Sequence, residues 1–145
     1  MRLVVQRVDN ASVTIENELF SSIGQGYLIL FGAEKGDTKT QADWLANKVS
    51  VLRCFSDENG KMNLSIKDVN GEILIVSQFT LCGDIKKGTR PSFDKSAPPE
   101  IANNLYENFV TEVGKLGIKT QTGKFAAMMD VSLINDGPVT FMIEV

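Results

Sequence analysis

Alternation governs the first third of the chain. RLVVQRV, ASVTIE and ELFSSI set β-branched or aliphatic residues against polar ones, and GYLILFGA follows Gly24 and Gly26. A period of two belongs to a strand with one buried face, so these segments predict a meander of short strands separated at DN and at Asn17. After GDT the period changes. Thr38 with Gln41 has capping-box spacing, and Ala42, Leu45, Val49 and Leu52 recur at helical intervals, which predicts a helix over 38–53. EILIVSQFTL, residues 72–81, opens as a nearly continuous apolar run, the mark of a strand buried on both faces. Pro98 and Pro99 suit the first turn of a second helix, whose stripe of Ala102, Leu105, Phe109, Val113 and Leu116 ends at Gly117. From KFAAMMDVSLI to VTFMIEV, strands return. One α+β domain over 1–145, a mostly antiparallel, barrel-like sheet with two main helices packed on it, accounts for this order. With 43% hydrophobic residues in 145, such a domain has the material for a core.

The composition removes several chemistries. There is no histidine, which excludes Ser-His-Asp and Cys-His catalysis, the usual zinc hydrolase sites and any imidazole proton shuttle. Cys54 and Cys82 are too few and too far apart for a disulfide framework or a multi-cysteine metal site, and are expected as reduced thiols. No cofactor or metal is called for. A net charge of −3 and a pI near 5.0 argue against nucleic-acid binding over the whole surface, while leaving room for a local basic patch. No apolar run approaches the roughly 18 residues of a membrane span, and MRLVVQRVDN has a charge and a glutamine where a signal peptide is apolar. A cytoplasmic protein without membrane contact is expected.

Three stretches carry candidate chemistry. SQFTL, residues 77–81, ends the apolar strand with Ser77, Gln78 and Thr80 beside a glycine-containing loop, either as donors held for a ligand or as polar groups reaching solvent. IKKGTRPSF, residues 85–93, places Lys86, Lys87 and Arg90 near Phe93, a composition able to hold a nucleic-acid backbone and stack a base; the simpler account is a solvated loop. In NDGPVT, residues 135–140, Pro138 removes a backbone donor where the last strand should begin. The turn therefore either holds that strand at an edge or forms a rigid backbone element. Phe125, Met128 and Met129 line a pocket or fill the core.

Taken together, MRLVVQRV, KMNLS (61–65), SQFTL, GTRPSF (88–93) and NDGPVT resemble the D-aminoacyl-tRNA deacylase family, in order and along the whole chain. The resemblance implies hydrolysis of the ester that joins a D-amino acid to the 3′-terminal adenosine of tRNA. It implies a homodimer in which a cis Gly137-Pro138 peptide enters the partner's site; such a wall is expected to exclude L-amino acids, and glycine, having no side chain, is expected to pass it. Catalysis would be assisted by the substrate's own 2′-OH. Ser77, Gln78 and Phe79 would orient the ester, with main-chain N–H groups around SQFTL stabilising the oxyanion and Thr80 as the nearest hydroxyl. Phe125 and Met129 match positions near the adenosine, Ala126 stands where related sequences commonly carry glycine, and Arg7 is either a brace for the Gly-Pro turn or a surface residue of the first strand. Two other readings stay open: a non-catalytic RNA-binding module using Lys86, Lys87 and Arg90, and a Thr80-dependent hydrolase of small esters.

Overall fold

The computed structural model describes residues 1–86 and 88–145. Its spine is β1 (Arg2–Ile15), a single strand that runs through DN without a break. It is long enough to pair antiparallel with three strands: β2 (Glu18–Ile23), β3 (Gly26–Gly32) and β8 (Asp130–Glu144). The two short segments expected there are one strand because Asn10 and Ala11 keep their pairing to β8 across the polar dipeptide. Tight reversal occurs instead at Glu16 and Asn17, both with positive φ.

Beyond β3 the pairing becomes parallel. The strand β6 (Glu72–Ser77) lies between β3 and β7 (Lys119–Thr122), parallel to both, so the order is β2-β1-β3-β6-β7 with β8 on β1. Parallel neighbours need crossovers. Helix α1 (Lys39–Val51) and the small pair β4 (Phe55–Ser56) and β5 (Met62–Leu64) make the first, and helix α2 (Pro99–Lys115) makes the second. Both helices lie within the expected spans. The Gln41 side chain accepts the Thr38 N–H at 2.9 Å, which fixes the start of α1 as the capping spacing predicts.

The continuous apolar run in β6 has a simple cause. Ile73 and Ile75 face the helices, where they meet Leu45, Val49, Phe109 and Val113; Leu74 and Val76 face a second cluster with Val8, Val13 and Leu28. In the first cluster Phe31 and Phe109 have ring centroids 5.3 Å apart. A strand covered on both sides has no freedom to slip, because a shift of one residue would exchange its faces. Its end is therefore a fixed point. Among the described residues, no helix is long and apolar enough to cross a membrane.

Candidate active site

That fixed end opens a cleft. Ser77 pairs with Phe31, and the Gln78 N–H donates to the Phe31 carbonyl at 2.7 Å, so the sheet holds the chain up to the residue where it turns. Phe79–Cys82 form one turn of 3₁₀ helix, whose leading N–H groups have no acceptor within the turn itself. Opposite lies the Phe125–Met129 segment, expected as strand but folded as a turn. Ala126 causes this change of direction by adopting φ 59°. Between the two, a cavity of about 770 Å³ is lined by Ser77, Gln78 and Phe79 on one side and by Phe125 and Met129 on the other.

The structure thus brings together these five and, of the other residues singled out in the sequence, Phe93, Ala126 and Met128. Thr80 stands just outside the lining, exposed, with its Oγ1 accepting a hydrogen bond from Gln78 Nε2. Phe79 stacks edge-on against Phe93 with centroids 4.9 Å apart. Other lining residues were not marked for the site by the sequence, among them Lys35, Ser96, Ala97, Pro98, Pro99 and Ala102. Pro98 and Pro99 were legible as helix starters, and that role concealed their second one.

Asp84 and Ser92 exchange main-chain hydrogen bonds of 2.7 and 3.0 Å, closing the loop that carries the cations. Lys86 and Arg90 are exposed on it and do not line the cleft; Lys87 lies outside the described residues. Cys82 is buried under the site, and burial first, then Glu34, pushes its thiol up. It stays protonated near neutrality and is no nucleophile. Among the described residues no three carboxylates or cysteines group closely enough to hold a metal.

The Gly-Pro turn lies elsewhere. Asn135 pairs with Val8 and Thr140 with Gln6, so residues 136–139 of β8 face the single residue Arg7 of β1. The turn is a large bulge within one strand rather than a hairpin between two. Gly137 and Pro138 are exposed at its tip, their peptide is cis, and neither lines the cleft of its own chain. Arg7 holds the base. Its Nε donates to the Asp136 carbonyl and lies 2.9 Å from the Asp136 carboxylate, while Nη1 reaches the Cys54 carbonyl at 2.5 Å. Asn135 closes the bulge by donating to the Arg7 and Val139 carbonyls and accepting the Val139 N–H.

Ala126 offers a check on the cleft's second wall. A left-handed φ costs a residue with a Cβ roughly 1 kcal/mol more than glycine. Ala126→Gly should therefore raise the stability by up to that amount, less glycine's extra chain entropy, measured as a shift in urea midpoint.

The family description D-Tyr-tRNA(Tyr) deacylase matches residues 4–144. A D-aminoacyl-tRNA deacylase of Desulfatibacillum aliphaticivorans is 56% identical over 144 residues, 99% of both chains. Of two similar solved structures, one described as c-Myc DNA Unwinding Element Binding Protein is 41% identical, with a TM-score of 0.93 and coverage of 100% and 99%. The other, described as "a probable eukaryotic D-amino acid tRNA deacylase", shares the fold at a TM-score of 0.86 and 16% identity, covering 99% and 98%. With the cleft described above, these matches define the chain as an enzyme, a hydrolase. It belongs to the D-Tyr-tRNA(Tyr) deacylase family.

Proposed function

We propose that the chain hydrolyses D-aminoacyl-tRNA to free D-amino acid and tRNA in the cytoplasm, with the cleft at the end of β6 as its site. The observation that carries this reading is the composition of the cleft: polar groups and a turn's leading N–H donors stand across an apolar cavity of about 770 Å³ from an aromatic and a thioether. Such a cavity suits a terminal adenosine, and the donors suit an ester carbonyl that gains charge as it is attacked. The chain has no histidine to activate water or a hydroxyl. The substrate's ribose 2′-OH supplies the nearby hydroxyl instead, and Ser77, Gln78 and Phe79 hold the ester in line with it.

Chiral selection is assigned to Gly137 and Pro138 of a second copy. A turn absent from its own chain's cleft has to reach another chain's cleft to act on substrate, and Ile134 and Met142 leave apolar surface on the same strand for such a pairing. The main-chain wall leaves room for a D-residue and meets the side chain of an L-residue; glycyl-tRNA, with no side chain, passes. Lys86, Lys87 and Arg90 contact phosphates of the tRNA.

Release of D-tyrosine and L-tyrosine from matched charged tRNAs, with a chelator present, tests the activity. Cleavage of the D-ester alone is expected. The name of the 41% identical structure favours one other reading, a nucleic-acid-binding module without chemistry. Retention of tRNA with neither ester cleaved would establish that reading and end the first. Thr80→Ala should keep turnover within about tenfold of wild type, since a hydroxyl without a base is a poor nucleophile. Complete inactivation of a folded Thr80→Ala protein would transfer the reaction to the Thr80-dependent mechanism.

A further inference from the structure

Among the described residues, Lys35 is the one charged residue that lines the cleft. It is exposed, and among the described residues it forms no salt bridge. Its acidic neighbours are engaged elsewhere: Glu34 lies 3.2 Å from Arg2, and Asp37 lies 2.9 Å from the Met1 amine. The backbone beneath Lys35 is pinned, because its N–H donates to the Lys95 carbonyl at 2.9 Å and Glu34 bridges Ser96. A lysine on fixed backbone thus stands at the edge of a cavity whose other described lining residues are uncharged.

We infer that Lys35 binds the phosphate on the 5′ side of the terminal nucleoside, so that the cleft takes a nucleoside 5′-monophosphate unit rather than a nucleoside alone. This rests on the reading of the cleft as the adenosine site. Two charges on the substrate support the assignment. The phosphate is anionic and leaves the nucleoside opposite the aminoacyl ester, whereas the α-amino group of that ester is cationic and is repelled by a lysine. One lysine therefore sets the direction of the substrate in the cleft: phosphate at Lys35, aminoacyl end at Ser77 to Phe79. Lysine suits this contact as a compact charge that needs no fixed bidentate geometry.

The test is inhibition of D-tyrosyl-tRNA hydrolysis by adenosine and by adenosine 5′-monophosphate, at low salt, for wild type, Lys35→Gln and Lys35→Arg. In wild type the monophosphate should inhibit at up to about fivefold lower concentration than adenosine, the range of an exposed ion pair. Lys35→Gln should abolish that difference and leave inhibition by adenosine in place, and Lys35→Arg should restore it. The slope of log KM for the charged tRNA against log salt should fall by about 0.7 in Lys35→Gln, one single-strand phosphate contact. A residue with only a structural role would move both inhibitors together. Equal inhibition of wild type by the two compounds would overturn the phosphate assignment and spare the adenosine site. Failure of both to inhibit an active enzyme would overturn the adenosine site and the assignment with it.

Discussion

Gly137→Ala is expected to reduce the preference for D- over L-tyrosyl-tRNA by about a hundredfold while the protein stays folded, the scale of loss from a 1 Å misplacement of a positioning group. A Cβ at this position would stand 2.1 Å from the Val139 nitrogen and 2.4 Å from Asn135 Oδ1. The nearer atom is main chain, and it cannot rotate away. Asn135 is also committed, with its amide bonded to the Arg7 and Val139 carbonyls. The tip must therefore move, and because Gly137 and Pro138 are exposed, it can move outward without opening the core. Measuring kcat/KM for both esters alongside the thermal midpoint separates the effects. An unchanged D to L ratio in the folded variant would remove the turn from chiral selection.

Arg7→Ala should lower stability and selectivity together. Arg7 is 8% exposed, and its loss leaves the Cys54 carbonyl without the charged donor that reaches it, at a cost of about 1–3 kcal/mol for a buried acceptor left unpaired. The Asp136 carboxylate is about one-third exposed and recovers water, so it adds little. Arg7→Lys should rescue only part of the loss, because a single ammonium cannot replace a guanidinium that donates from Nε and Nη1 in different directions. The check is equilibrium unfolding in urea together with the D to L ratio measured well below the transition. A ratio equal to that of wild type would reduce Arg7 to a structural residue.

Much of the fold was legible because its signals were local. The capping spacing of Thr38 and Gln41, the paired prolines before α2 and the doubly apolar β6 each report on a few neighbouring residues, and each stands where it was expected. The sequence reading erred where pairing outweighs local preference. Asp9 and Asn10 look like a turn, but the register to β8 continues at Asn10. Phe125 to Met129 look like a strand, yet Ala126 bends them into a wall. The SQFTL half of the cleft could be found from its misplaced polar groups. Lys35 and Ser96 could not, because they reach the cleft only through main-chain bonds between segments some sixty residues apart in the sequence.

The bulge that sets four residues against Arg7 also divides what can vary from what cannot. Its protruding side lies between two paired stretches of β8, so an added or deleted residue there changes the length of the projection and leaves the ladder on either side in register. The same change in β1 would invert every side chain beyond it, against three neighbours at once. Reach and alignment are therefore separate variables in this molecule: the first can be adjusted residue by residue at the tip, and the second is inherited from the spine of the sheet.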